Sequence, residues 1–251
     1  MRNTALALAG LLLAALASPA LAQDAEAPKQ HWSFDGPFGT YDRAAAQRGL
    51  EVYEEVCSRC HALKLLYYRD LTGIGYTEDE VKAIASTKQV EDGPNDQGEM
   101  FKRPGRPSDR FVAPFPNEQA ARAALNGALP PDLSLITKAR EGGADYVAAA
   151  LTGYKDVPPG VKLADGMSYN EYFPGHQIAM PPPLAGEDVQ YADGTKPTVE
   201  QEAKDVATFL AWAAEPTLEE RHRTGAKVLI FLLAMTGVLY AAKRQVWADV
   251  H

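Results

Sequence analysis

The 251-residue sequence predicts a mostly α-helical protein with long ordered loops and one C-terminal transmembrane helix. Three stretches place apolar residues at helical spacing after a capping residue. The middle of the chain is rich in glycine and proline and shows no strong strand alternation, which indicates loops between the helices. An uncharged apolar run occupies residues 228–242, close to the C-terminus.

The first predicted helix follows Asp42, a capping residue, and its apolar spacing runs from Leu50 to Cys60. Helices at 77–86 and 198–214 each begin with a capping box, in which a threonine is followed three residues later by Glu or Gln. Two weaker helical patterns lie at 118–125 and 144–152. Together these patterns predict one domain between the two ends of the chain.

Residues 1–22 are typical of a secretory signal peptide. Arg2 precedes an uncharged run over 5–17, and a small-residue cleavage site ends at Ala22. The alternative is an uncleaved membrane anchor, for which the run is short. Cleavage would start the mature chain near Gln23, outside the cytoplasm.

The C-terminal run predicts a membrane span, and a buried core helix is the alternative. Residues 228–242 alone would reach about 22 Å as a helix, short of a hydrocarbon core of about 30 Å. A helix over 225–247 would be long enough, because the side chains of Lys227 and Lys243 can extend toward the polar surfaces of the bilayer. The predicted organisation is a signal peptide at 1–22, a folded domain at 23–216, a helix with the anchor at 217–245 and a cytoplasmic tail at 246–251.

Composition and charge limit the class of partner. The formal net charge is −8, whereas a nucleic-acid-binding protein would be basic, so no nucleic-acid partner is expected. Two cysteines are too few for a disulfide-rich scaffold. Seven acidic side chains against two lysines lie at 78–99, which indicates either a face that steers a basic partner or an ordinary solvated surface.

The motif that carries chemistry is Cys57-Ser58-Arg59-Cys60-His61, the CxxCH pattern of c-type haem attachment. Two thiols three residues apart can reach the two vinyl groups of one haem, and His61 then meets the iron from one face. Zinc would need further ligands, a thioredoxin-like pair would need a βαβ unit, and a disulfide would leave His61 unexplained. The domain is therefore predicted to be a cytochrome c-type haem domain with one covalently bound haem c.

The opposite face of the iron needs a second ligand. Met180 precedes three prolines that would fix its backbone, although a methionine packed in the core fits the sequence equally well. His176 is the main rival, because imidazole ligates iron more tightly than a thioether does. Met100, Met167 and the three further histidines are the remaining candidates. Methionine–histidine ligation would raise the haem potential and close the iron to substrates.

Over essentially the whole mature chain, these motifs resemble the cytochrome c1 family, which supplies the haem c subunit of the cytochrome bc1 complex. CxxCH is shared by all c-type cytochromes, whereas three stretches are more specific: 130–134 (PPDLS), 180–183 (MPPP) and 212–216 (WAAEP). Further similar stretches lie at 48–53, 76–80, 92–95, 98–101, 103–105, 126–129, 145–147, 151–154 and 172–175.

The resemblance implies that Met180 is the sixth ligand, opposite His61. It also implies four haem-pocket residues: Arg140 and Tyr146 near the propionates, and Asn126 and Pro131 in the wall of the pocket. From the residues alone, Arg140 could equally be a solvated helix end.

The function implied by the resemblance is electron transfer, in a subunit that itself makes and breaks no substrate bonds. Such a subunit takes electrons from the Rieske iron–sulfur protein and passes them to a soluble cytochrome c during quinol oxidation. The implied partners are cytochrome b, these two proteins and membrane lipid, in a bacterial inner membrane with the haem domain in the periplasm. The alternatives are a free membrane-tethered carrier and a haem enzyme, and methionine ligation argues against the enzyme.

Overall fold

The computed structural model of the chain describes residues 26–249, so the predicted signal peptide at 1–22 lies outside the described residues. Within this part the α-helices are α1 (Arg43–Glu55), α2 (Glu78–Ser86), α3 (Glu118–Ala124), α4 (Ile136–Ala139), α5 (Gly143–Thr152), α6 (Val199–Ala214) and α7 (Leu218–Val246). Short 3₁₀ helices cover Cys57–Arg59, Tyr68–Ile74 and Pro174–His176. The predicted mostly α-helical class is confirmed.

The predicted capping residues begin the helices as expected. The side chain of Asp42 accepts a hydrogen bond from the Ala45 N–H at the start of α1. Thr77 and Thr198 do the same at the starts of α2 and α6. These side chains satisfy backbone donors that have no partner inside the helix.

One predicted helix is shorter than its apolar spacing suggests. The spacing runs to Cys60, whereas α1 ends at Glu55. Beyond Val56 the chain tightens into a 3₁₀ turn, in which the Cys60 N–H bonds to the Cys57 carbonyl oxygen. The cysteine motif therefore lies on the turn that follows α1, not on the helix.

Two short antiparallel hairpins were not predicted. They pair β1 (Gln89–Asp92) with β2 (Phe101–Pro104), and β3 (Ser168–Tyr169) with β4 (Gln177–Ile178). The strands are only two or four residues long, and most of their side chains are exposed or half-buried. They carry no apolar alternation, which is the signal that sequence analysis uses.

The core is built where α1 crosses α6. A Cβ atom on Gly49 of α1 would lie 2.1 Å from the carbonyl oxygen of Asp205 in α6, so the backbones approach this closely only because residue 49 is glycine. The buried rings of Tyr53, Phe209 and Trp212 pack around the crossing. Because α6 also packs on α4 and α5, it is the central helix of the domain.

A buried ion pair reinforces the crossing. Arg48 of α1 donates to both carboxylate oxygens of Asp205, at 2.8 and 3.0 Å, and to Asp193 at 2.8 Å. Asp205 is almost fully buried, and its hydrogen bond with Arg48 is the main reason that the pKa of the guanidinium lies above its usual range. The loop around Asp193 is thereby fastened to both helices.

Among residues 26–249, α7 is the one helix that is long and apolar enough to cross a membrane. None of its apolar 18-residue stretch is buried in the structure, and large apolar side chains from Val228 to Tyr240 are exposed. The alternative of a buried core helix is therefore wrong. A single C-terminal helix of this kind fits a single-pass membrane protein.

Hydrogen bonds and an ion pair join the first turn of α7 to the domain. Arg43 donates to both carboxylate oxygens of Glu219, at 2.7 and 2.9 Å, and the Tyr41 N–H donates to the same carboxylate at 2.9 Å. The Tyr41 hydroxyl contacts the carbonyl oxygens of Ala211 and Glu215, each at 3.1 Å. The segment from the end of α6 to the first turn of α7 is thus bonded to both Tyr41 and Arg43.

The central helix α6 also buries the carboxyl group of Glu202. One carboxyl oxygen accepts a hydrogen bond from the Asp188 N–H at 3.0 Å. Burial, together with the neighbouring Asp188 carboxylate, raises the pKa of Glu202 to about 7. The folded protein therefore keeps this proton at pH values at which the unfolded chain has lost it.

Because the folded state binds the Glu202 proton more tightly, this residue should lower the free energy of unfolding as pH rises from about 4.5 to about 7. Glu202→Gln is neutral at every pH and should remove that loss. At pH 8 the variant should be more stable by an amount on the order of 3 kcal/mol, and at pH 4 it should match the parent. The measurement is the thermal midpoint against pH in detergent.

The matched control for this prediction is Glu200→Gln, at an exposed position of the same helix. It should leave the pH profile of the thermal midpoint unchanged. Identical profiles for Glu202→Gln and the parent would contradict the prediction.

Candidate functional site

The cysteine motif occupies a tight turn that is closed by one carbonyl group. The Cys57 carbonyl oxygen accepts from the N–H groups of Cys60 and His61, at 3.1 and 2.9 Å. The Ser58 hydroxyl donates to the Glu54 carbonyl oxygen at 2.6 Å and ties the turn to α1. Both cysteines are free and half-buried, and burial raises the pKa of the Cys57 thiol to about 12. The turn therefore holds two unpaired thiols beside one imidazole.

His61 is held in one tautomer by a backbone carbonyl. Its Nδ1 lies 2.8 Å from the Pro131 carbonyl oxygen, which can only accept, so Nδ1 carries the proton and Nε2 keeps its lone pair. Burial lowers the pKa of His61, which favours the neutral ring. The Tyr53 hydroxyl of α1 also donates to the His61 carbonyl oxygen at 3.0 Å. His61 can thus offer Nε2 to a metal.

Residues 131–134 are fastened to the chain that follows His61. The Leu133 N–H bonds to the Ala62 carbonyl oxygen at 2.8 Å. The Asp132 carboxylate accepts from the Lys64 N–H at 3.0 Å and from the Ser134 N–H at 2.8 Å. The position of the Pro131 carbonyl group therefore depends on these bonds.

Met180 is half-buried in the loop after β4. Its carbonyl oxygen accepts a hydrogen bond from the Tyr154 hydroxyl at 3.1 Å. Three prolines follow it and restrict the backbone of residues 181–183. The rival residue, His176, has its Nδ1 3.2 Å from the Asn170 carbonyl oxygen, and its ring stacks on Tyr169.

The predicted pocket residues lie at three places. Asn126 is exposed on the turn after α3, with a left-handed φ of 50°. Arg140 is exposed at the end of α4, and its charge opposes the rise in the pKa of Tyr146 that burial causes. Pro131 contacts His61 as described above.

The structure collects the predicted site residues into two groups. The first contains Cys57, Cys60, His61 and Pro131. The second contains Arg140, Tyr146 and Met180, with Tyr154 between Tyr146 and Met180. The segment after Leu133 joins the groups, because Leu133 bonds to Ala62 and α4 packs on α5. Within residues 26–249 no hydrogen bond or ion pair links Asn126 to either group.

The chemistry of these donors fits a haem. Two unpaired thiols can form two thioether bonds, and a neutral imidazole and a thioether are known axial ligands of haem iron. Large apolar side chains are exposed on flanking segments, which suits an apolar macrocycle: Leu129, Leu135, Val157, Val161 and Met167. In the described part of the chain, no three His, Cys, Asp or Glu residues cluster as a bare metal ion would require.

Comparison with known proteins identifies the family. The Cytochrome C1 family model matches residues 32–250. The chain belongs to the cytochrome c1 family. It is 53% identical over 225 residues to "Cytochrome c1 1, heme protein, mitochondrial" of Arabidopsis thaliana, covering 89% of this chain and 73% of the relative.

Two bacterial proteins are also similar. Cytochrome c1 of Rhodospirillum rubrum is 46% identical over 238 residues, with 88% of each chain covered. Cytochrome b/c1 of Bradyrhizobium diazoefficiens is 49% identical over 278 residues, which cover 98% of this chain but only 40% of that protein. Membership of the cytochrome c1 family implies haem c, electron transport and a place in a bc1 complex.

Two residues that shape the site were missed in the sequence. Asp132 could have been found, because an aspartate two residues before Ser134 is typical of an Asx turn. Tyr154 carries no such signal, because its partner Met180 is 26 residues away and is reached only through the folded loop. Tertiary contacts of this kind leave no local pattern.

Asp132→Ala should lower the free energy of unfolding by about 2 kcal/mol, since two backbone N–H groups lose their acceptor. The measurement is chemical unfolding of the detergent-solubilised protein. Asp156→Ala, at an exposed loop position, serves as the control and should stay within about 0.5 kcal/mol of the parent. Equal losses in both variants would refute this role of Asp132.

Proposed function

We propose that the chain is the electron-transfer subunit of a cytochrome bc1 complex. It accepts single electrons from the Rieske iron–sulfur protein and passes them through one covalently bound haem c to a soluble cytochrome c during quinol oxidation. The observation that carries this proposal is the turn at Cys57–Arg59 with His61, whose Nδ1 is occupied by Pro131 and whose Nε2 is left for iron. Family membership supports the same role.

In this proposal Cys57 and Cys60 hold the haem by two thioether bonds, and His61 and Met180 are its axial ligands. The bound haem supplies a reversible one-electron couple. The neutral state of His61 and its bond to Pro131 would keep one ligand oriented. The prolines after Met180 would restrict the backbone next to the other ligand. With both axial positions filled, the site offers no place for a substrate.

The remaining pocket residues would contact the edges of the haem. Arg140 is exposed and close to Tyr146, and a guanidinium can form paired hydrogen bonds with a propionate carboxylate. Pro131, held by its neighbours, would pack on the ring, and Asn126 would complete the wall. The exposed apolar side chains near these residues support an apolar contact there.

The proposed setting is a bacterial inner membrane, with the haem domain in the periplasm. A signal peptide at 1–22 would export the domain at 23–216, the segment 217–245 would anchor it, and the tail at 246–251 would stay in the cytoplasm. Cytochrome b is the proposed neighbour of α7 in the lipid, and the name of the Bradyrhizobium relative pairs the two proteins. Gly237 has open space around it and would allow close helix contact.

A soluble cytochrome c with a basic face is the proposed acceptor. The first turn of α2 presents Glu78 and Asp79 to solvent, and Glu91, Asp96 and Glu99 are also exposed. Part of the acidic segment is already neutralised, because the half-exposed Asp92 pairs with Arg103. The exposed remainder would speed association at low salt.

A mild detergent extract of the native membrane should give a c-type absorbance band together with b-type bands at fixed stoichiometry. This outcome is expected because cytochrome b would remain bound to α7. The measurement is a reduced-minus-oxidised visible spectrum of tagged protein. A c-type band alone would instead support a free tethered carrier, and a five-coordinate ferric spectrum would support a haem enzyme.

Met180→Leu should keep the covalent haem but lower its midpoint potential by on the order of 0.1 V or more, since axial ligands span about 0.8 V in haem proteins. Redox titration measures the potential, and a denaturing gel stained for haem measures attachment. Met100→Leu is the control, because this exposed loop methionine lies outside the candidate site and should leave the potential unchanged. An unchanged potential in Met180→Leu would remove Met180 from the ligand set.

A further inference from the structure

The loop that carries Met180 is held by one side chain from another part of the domain. The Tyr154 hydroxyl donates to the Met180 carbonyl oxygen at 3.1 Å. Among residues 26–249 this is the only hydrogen bond that reaches residues 180–183. The three prolines have no N–H group, so residues 181–183 cannot donate backbone hydrogen bonds.

The backbone that carries Tyr154 is itself held in place by contacts with Asn170. The Tyr154 backbone forms an isolated β-bridge with Asn170, which is fully buried. The Asn170 side chain donates to the Ala150 carbonyl oxygen at 2.7 Å, and its oxygen accepts from the N–H groups of Tyr172 and Phe173, at 3.0 and 3.1 Å. The end of α5 and the loop before β4 are therefore one unit.

Close packing fixes the same unit. A Cβ atom on Gly153 would lie 2.6 Å from the Tyr172 ring, and the Gly153 carbonyl oxygen accepts from the Glu171 N–H at 2.9 Å. The Tyr154 side chain therefore leaves the backbone at a point with little freedom to shift. Burial raises the pKa of Tyr154 well above its usual value, so its hydroxyl remains a donor through the neutral and mildly alkaline range.

We propose that Tyr154 is a positioning residue for the axial methionine: its hydroxyl holds the Met180 backbone so that the thioether stays on the iron. The inference rests on the proposed function, because it requires Met180 to be a ligand. A hydrogen bond of ordinary net strength would slow loss of the ligand by about threefold to tenfold.

The test is carbon monoxide binding to the reduced protein, because carbon monoxide can bind the iron only after the sixth ligand leaves. Tyr154→Phe in the full-length holoprotein removes only the hydroxyl group. It should retain covalent haem and bind carbon monoxide about threefold to tenfold faster than the parent. Its ferric sulfur–iron charge-transfer band should weaken or shift.

Tyr169→Phe is the matched control, because this half-buried tyrosine lies on β3 and makes no hydrogen bond to residues 180–183. It should bind carbon monoxide at the parent rate. A parent-like rate in Tyr154→Phe, or an equal increase in both variants, would overturn the positioning role.

Met180→Leu separates this inference from the ligand assignment. If the parent binds carbon monoxide as fast as Met180→Leu and lacks the sulfur–iron band, the assignment of Met180 itself fails. If the parent is slow, Met180→Leu is fast and Tyr154→Phe equals the parent, only the positioning role fails.

A second pair of replacements keeps the test decisive if Tyr154→Phe does not fold. 4-Aminophenylalanine at position 154 keeps an N–H donor at the end of the ring, whereas 4-methylphenylalanine fills the same place with a group that cannot donate. The carbon monoxide rate should equal that of the parent in the first protein and rise about threefold to tenfold in the second. Equal rates in these two proteins would refute the proposal.

Discussion

The close crossing of α1 and α6 at Gly49 is the constraint on which the rest of the structure depends. No larger residue fits between the two backbones, and Arg48 binds across the same contact. The cysteine turn and His61 follow directly after α1, and α7 follows directly after α6. The crossing thus fixes the candidate haem site and the anchor relative to one another within one small core.

The two sides of the candidate site are stabilised by different means. The His61 side is close to α1 in sequence, and the orientation of the His61 ring depends on a carbonyl group held by residues 132–134. The Met180 side lies on a proline-rich loop without regular structure, and its order comes from a buried asparagine and a tyrosine hydroxyl. A rigid turn and a loop bonded to a distant part of the domain would suit the proposed redox site, which must change little between two oxidation states.

Much of the fold could be predicted because its signals are local. Capping residues and apolar spacing located the helices, and the length of the apolar run at 228–242 indicated α7. The CxxCH spacing pointed to haem because the two cysteines and the histidine are neighbours in sequence. The hairpins carried no apolar alternation, and the end of α1 at Glu55 depended on a change of backbone hydrogen bonding that side-chain periodicity does not report. The contact between Tyr154 and Met180 could not be predicted either, because it joins residues that are far apart in sequence and leaves no local pattern.

The paired hydrogen bonds between Arg43 and Glu219 fix the orientation of the domain relative to the first turn of α7. Residues 218–227 of α7 precede the apolar run and form about 15 Å of helix between the domain and that run. Because Arg43 bonds the domain to the start of this helix, the domain has little freedom to rotate toward the bilayer. In the proposed membrane setting, the domain would therefore keep a nearly constant distance from the bilayer and a nearly constant tilt.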